Sequence, residues 1–359
     1  MIRSLALALL VVCTGCAGAR PPPALLERSA GDYAMGTALE VTLFGPDVRE
    51  LEGGIADVFA EVSRIEALVS TWQPDSEVSR LNAAAGGDAI PLDPEATALL
   101  AHATELSRET RGSFDVTVGP LVALWKDAEA KGRPPSRAAL ARARALVGPE
   151  RLRIETGPRG ALVSLDAGSA IDLGGIAKGY ALDRAREKLP PGIRAALLSF
   201  GQSSAWAIGC PPDAPGWRLL ARAPDGGFAG VLTLRDRALS VSGSLGQWRE
   251  IGGRRYGHVF DPRSGAPLLA RRQAIVVGDD ATDAEALSKA LLVLEPVEGL
   301  ALVEAWAGAE ALLLDADGRS WRTRGWNAAT EFETAPADPA PGGEPPGSSA
   351  PGGAPISMR

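Results

Sequence analysis

Cysteine and histidine are scarce in this 359-residue chain, with three of one and two of the other. Scattered as they are, they show no Cys/His metal framework. With Cys13 and Cys16 in the leader only Cys210 is left, which cannot form an intramolecular disulfide, so the fold must hold by its core. No apolar run approaches the roughly 20 residues needed to cross a bilayer. The longest, Leu5 to Val12, sits at the very start. A basic excess is missing too: the net charge is −7 and the pI near 5.2, which argues against a nucleic-acid partner. With only two histidines present, His102 and His258 each need an explanation.

What is present begins with an address. Arg3, the apolar run and Cys13-Thr14-Gly15-Cys16-Ala17 form a charged n-region, a short h-region and a small-residue cleavage site. Thr14-Gly15-Cys16 looks like a bacterial lipobox, which makes residues 1–15 a signal peptide and Cys16 the lipidated residue; a plain secretory signal is the alternative. Residues 16–29, with Pro21-Pro22-Pro23, then read as a tether, leaving Cys210 as the lone thiol. The expected location is the cell envelope, anchored by lipid to a membrane and facing the periplasm. At the other end, residues 334–359 are mostly Pro, Gly, Ala and Ser and cannot offset their ordering entropy, so disorder is expected there.

Between the two, residues 30–333 carry the patterns of one folded unit. Residues 36–44 alternate as a half-buried strand, and Leu51, Ile55, Val58, Val62, Ile65 and Val69 fall at helical spacing. Further helices are predicted over 94–110, 138–146, 176–189, 281–293 and 297–306. Strands are predicted over 195–200, 217–222, 229–235, 239–243, 274–278 and 310–315. This mixture predicts an α+β fold, with mainly antiparallel sheets flanked by helices.

The most telling stretch is Asp172-Leu173-Gly174-Gly175-Ile176-Ala177-Lys178-Gly179. It reads as a strand end, a glycine turn and a helix start with a lysine in its first turn, a place where backbone N–H groups can meet an anion such as a nucleotide diphosphate. Taken alone it reads more simply as a glycine-rich turn beside a solvated lysine. Five other blocks accompany it: AMGT at 34–37, STWQPDSEVSRLN at 70–82, GSFDVTVGPLVALW at 112–125, SVSG at 240–243 and YGHVFDPRSGAP at 256–267.

In order and spacing, these six blocks resemble the ApbE family, the FAD:protein FMN transferases. The resemblance spans about residues 31–325. It implies a T-fold-related α+β domain that moves FMN from FAD to a threonine hydroxyl of an acceptor flavoprotein subunit, releasing AMP, with Mg²⁺ as cofactor. It also implies roles for residues. Met35, Trp72, Ser113, Phe114, Asp115, Asp172, Lys178 and Phe260 would contact FAD, and Gly175 would offer an oxygen to the metal. His258 and Asp261, in the HxxDP pattern, would serve catalysis together with Lys178. An imidazole near its ordinary pKa suits a base that takes the acceptor's proton. Read by themselves, Phe114 is a core residue, Asp115 a helix N-cap ahead of an apolar stretch, and His102 a solvated mid-helix histidine.

The resemblance departs at the metal-binding helix, where the family pattern has Asp and Thr and this chain has Glu285 and Lys289, with Ser288 between them. Glu285, Ser288 and Lys289 share one helical face. Glutamate keeps the carboxylate, whereas an ammonium has no lone pair for a metal. Three outcomes stay open: Mg²⁺ held by Glu285, Ser288, Gly175, phosphate and water; Lys289 clamping the diphosphate directly; or a flavin binder that has lost transfer. Hydrolysis of FAD to FMN and AMP is a further alternative. Gln202 is a second departure, beside the same cleft.

Overall fold

The computed structural model describes residues 24–334 except 159, 202 and 245–247. The signal peptide, Cys16, the Pro/Gly/Ala tail beyond residue 334 and Gln202 lie outside the described residues.

An eight-stranded antiparallel sheet forms the frame, its strands lying side by side in chain order: Leu26–Ala34, Thr37–Gly45, Ala195–Phe200, Ser204–Ile208, Arg237–Gly243, Arg272–Gly278, Glu310–Asp315 and Ser320–Arg322. The first strand starts inside the segment read as a tether, so residues 26–29 are sheet edge and not linker. The helices are α1 (Val48–Val69), α2 (Glu77–Ala83), α3 (Pro94–Glu109), α4 (Gly119–Ala130), α5 (Arg137–Arg144), α6 (Ala177–Glu187), α7 (Ala281–Val293), α8 (Pro296–Glu304) and α9 (Trp326–Thr330).

Alternation along the strands separates two cores. Leu39, Val41, Leu43 and Leu198 pack with Leu51, Val58 and Val62 of α1 and Leu182 of α6. Ala274 and Val276 meet Leu287 and Leu291 of α7 on the helical face of the next strands. The intervening residues Ile275 and Val277 point the other way, onto Trp217, Leu232 and Trp326. That second layer is a three-stranded sheet of Trp217–Arg222, Phe228–Leu234 and Glu333–Thr334, together with α9.

One contact fixes how α6 meets α7. A Cβ on Gly179 would lie 2.3 Å from the Ala281 carbonyl oxygen, so only glycine allows this approach. One turn further along α6, the buried Asp183 accepts hydrogen bonds from the Ala281 N–H (3.0 Å), the Thr282 N–H (2.9 Å) and the Thr282 hydroxyl (2.6 Å). The Asp183 carboxylate also accepts from Trp206 Nε1 at 2.7 Å. Gly179 and Asp183 therefore dock α6 on the start of α7, and this brings Lys178 beside Glu285.

Candidate active site

A cleft of ≈1240 Å³ opens between the helical layer and the loops above the sheet. That exceeds the roughly 300–1,000 Å³ usual for a drug-sized ligand and leaves room for a dinucleotide. Segments far apart in sequence line it, including Met35, Phe114, Asp172, Lys178, His258 and Lys289.

Met35 and Gly36 are the two central residues of the hairpin between the first two strands, with φ of 50° and 77°. Two left-handed residues make a type I′ turn, which suits glycine but is uncommon for methionine. The Met35 N–H donates to Glu66 Oε1 of α1 at 3.0 Å, which holds the turn at the cleft edge. Ser113 and Phe114 follow α3, where Arg111 and Gly112 are also left-handed. The Ser113 hydroxyl donates to the Thr110 carbonyl at 2.7 Å. Phe114 is both core and cleft wall: it is 5% exposed, and a Cβ on Gly175 would lie 3.1 Å from its ring.

Asp115 does not cap a helix. Its buried carboxylate accepts from the Ser107 hydroxyl (2.9 Å), the Thr117 N–H (2.7 Å) and the Thr117 hydroxyl (2.6 Å), tying the loop to α3. Burial pushes its pKa up in spite of those bonds. Nor does the glycine stretch end a strand: Ala170 makes an isolated bridge to Val118, and Asp172 lies in the loop beyond. The Asp172 carboxylate accepts from the Gly174 N–H at 2.8 Å and shapes the turn that leads into α6. No side chain caps α6 at Ile176, and Lys178 falls in the first helical turn.

His258 and Phe260 face the cleft from the segment after Arg254–Gly257. Phe260 stacks on Trp125 of α4 at 6.1 Å, and Trp125 Nε1 donates to the Gly265 carbonyl at 3.0 Å. Asp261, read as catalytic, is absent from the cleft lining. Its carboxylate accepts from the Arg263 N–H (2.9 Å) and Nε (3.0 Å), and so pins the turn that carries His258. Trp72, read as a flavin contact, is 80% exposed outside the cleft, with the Lys126 ammonium 4.1 Å from its ring centroid. His102 is not merely solvated: its Nε2 lies 2.7 Å from Asp283 Oδ1, and that bond raises its pKa.

On α7, Glu285 is only 1% exposed. The Ser204 hydroxyl donates to its Oε1, and two ammonium groups bracket the carboxylate: Lys178 Nζ lies 3.8 Å from Oε1 and Lys289 Nζ 3.8 Å from Oε2. Oε2 has no hydrogen-bond partner. Both lysines line the cleft, with about a fifth of each side chain exposed, and so lie between the carboxylate and the cavity. Burial lowers the Lys289 pKa to about 8, opposed by Glu285 and reinforced by Lys178. Ser288 does not reach the cleft. It hydrogen-bonds with Ser240 (2.9 Å) and Ser242 (2.7 Å) and donates to the Glu285 carbonyl. Of the SVSG block, Ser242 and Gly243 line the cleft, while Ser240 is buried beneath. Among the described residues, no three His, Cys, Asp or Glu side chains could hold a metal ion together.

The arginines of the cleft were not foreseen. Arg222, Arg249, Arg255, Arg271 and Arg272 all line it, together with Trp248. Scattered arginines carry no motif, so composition and spacing gave no signal for them.

The ApbE family profile matches residues 35–313. The FAD:protein FMN transferase of Klebsiella pneumoniae is 28% identical over 331 residues, 89% of this chain and 94% of that protein. Among solved structures, the ApbE protein of Thermotoga maritima is similar with a TM-score of 0.76 at 26% identity, covering 85% of this chain and 99% of that one. The apo flavinyl transferase ApbE of Pseudomonas stutzeri is similar with a TM-score of 0.72 at 29% identity, over 85% and 97% of the two chains.

Proposed function

The chain belongs to the ApbE family, and from that premise we propose that its cleft takes FAD and passes FMN to a protein. The observation that carries the reading is convergence. Met35, Phe114, Asp172, Lys178, His258 and Phe260, drawn from separated sequence blocks, line one cavity of dinucleotide size.

The reaction exchanges one phosphorus–oxygen bond for another. The bond from the FMN phosphorus to the bridging oxygen of the diphosphate breaks, and AMP leaves with that oxygen. A bond forms from the same phosphorus to an acceptor hydroxyl, which in this reading belongs to threonine. His258 takes the hydroxyl proton, the role for which an imidazole at the cleft suits neutral pH. Phe260, backed by Trp125, offers a flat face to the flavin. Lys178, in the first turn of α6, faces the diphosphate. Such a transfer depends mainly on positioning and charge neutralisation.

Magnesium, which the resemblance implies, would have to sit on the face of α7 that carries Glu285, Ser288 and Lys289. The donors there do not suit it. The lone carboxylate is already bracketed by two ammonium groups, and the Ser288 hydroxyl is committed to two serines and a carbonyl. A magnesium site needs oxygen lone pairs at close range, which an ammonium cannot offer.

The lipoprotein address remains part of this reading, supported by the sequence around Cys16. No helix among the described residues is long and apolar enough to cross a membrane. Anchoring through Cys16 predicts that Cys16→Ala moves the protein from the membrane to the soluble fraction.

The test of function is to incubate the protein with FAD and an acceptor domain carrying a flavinylatable threonine, then read flavin fluorescence of the denatured acceptor. A fluorescent acceptor whose mass has grown by FMN is expected. Free FMN and AMP beside a dark acceptor would mean hydrolysis instead. Bound, intact FAD beside a dark acceptor, which a reference family enzyme does label, would mean a flavin binder.

A further inference from the structure

The arrangement around Glu285 contains more positive charge than it needs for itself. One carboxylate is sealed at 1% exposure, and two ammonium groups lie against its two oxygens at 3.8 Å each. Those three groups sum to one unit of positive charge at the wall of the cleft. The cleft they face carries five arginines besides, against the carboxylates of Asp115, Asp172 and Asp225. A third cation at this place would meet two ammonium groups for a single shared carboxylate. A diphosphate would instead supply the missing negative charge and accept hydrogen bonds from both lysines.

The lysines are also held in place. Lys178 is set by the α6–α7 docking through Gly179 and Asp183, and Lys289 stands one turn beyond Glu285 on α7. The Ser204 hydroxyl fixes the shared carboxylate from below. Glu285 is thus a positioning residue that holds one ammonium group against each of its two oxygens at the edge of the cavity.

We propose that Lys178 and Lys289, bridged by Glu285, bind the diphosphate of FAD directly, so that FAD binding and FMN transfer by this chain need no divalent metal. The proposal rests on the transferase reading above. During transfer the two lysines donate hydrogen bonds to the non-bridging diphosphate oxygens. The phosphorus–oxygen bonds exchange as described, AMP leaves with the bridging oxygen, and the acceptor proton goes to His258.

The test measures the FAD dissociation constant by flavin fluorescence, in EDTA and in millimolar Mg²⁺, for the natural chain, Lys289→Met and Lys289→Arg. Acceptor labelling is followed in the same two buffers. The natural chain is expected to bind FAD equally in both buffers, to within about two-fold, and to label the acceptor in EDTA. Lys289→Met should weaken FAD binding by about ten-fold or more, the scale of one lost charge-assisted hydrogen bond, and Lys289→Arg should restore most of it. Lys178→Met serves as a second variant, and thermal melts confirm that each variant is folded. EDTA-sensitive binding or labelling by the natural chain, or unchanged FAD affinity in Lys289→Met, would overturn the proposal. Metal-independent FAD binding that is lost in Lys289→Met, with no labelling in either buffer, would uphold the diphosphate contact and overturn transfer itself.

Discussion

His258 shows what a single side chain can and cannot reveal. Its place in the HxxDP pattern was legible, and the structure puts it at the cleft. The companion Asp261 was equally legible as part of that pattern, but its carboxylate is turned onto Arg263. A motif gives the order of residues along the chain, whereas side-chain direction follows from the turn they build. Trp72 makes the same point, since its ring lies outside the cleft under Lys126. If His258 is the base, His258→Ala should slow acceptor labelling by about 10²–10⁴-fold, the usual worth of general-base catalysis. FAD affinity should stay within about two-fold, because a base acts in the transition state and adds little to ground-state binding. Rapid-quench labelling alongside fluorescence titration separates the two effects; a fall in affinity with an unchanged rate would make His258 a flavin-holding residue.

Among the elements, α7 was readable to its ends, because its apolar positions recur at helical spacing and Asp280 caps its start. The first strand, Leu26–Ala34, was not readable. It runs along the sheet edge with nearly every residue exposed, so no apolar alternation marks it. The hairpin of Leu152–Gly157 and Gly160–Leu165 was missed for a related reason, its first strand being mostly exposed. Asp183 lay in plain sight within α6, but its partners Ala281 and Thr282 are 98 and 99 residues away. No local pattern encodes that distance. The α6–α7 docking yields a prediction of its own. Gly179→Ala would drive a methyl group into the Ala281 carbonyl, so α6 must shift. A loss of about 1–3 kcal/mol in urea unfolding is expected, the range for overpacked sites. Weaker FAD binding should accompany it, since Lys178 rides on the same turn; undiminished stability would show that the two helices are not held at the distance described.

Across the whole molecule, the sheet is an antiparallel meander whose strands lie in chain order, yet the cleft draws on residues from Met35 to Lys289. The antiparallel α+β class followed from strand and helix patterns alone; the assembly of the cleft did not, because it depends on which loops the meander stacks together. One tie across that assembly is pH-sensitive. His102 of α3 bonds Asp283 of α7, and this partner raises its pKa above the ordinary 6.5. A raised histidine pKa means that the folded state holds the proton more tightly than the unfolded chain. The stabilisation is therefore fully present below pH 6.5 and is lost as pH rises through the folded value. Thermal melts should show the natural chain's advantage over Asp283→Asn to be largest in mildly acidic buffer and to shrink towards alkaline pH. An advantage that grows with pH would contradict the charged pair.

The most direct measurement remains the mass and fluorescence of a denatured acceptor after incubation with FAD and the full chain. Covalent gain of one FMN, with AMP released in equal amount, is the expected result. An acceptor that stays unlabelled while a reference family enzyme labels it in parallel would contradict the assignment of this cleft to FMN transfer.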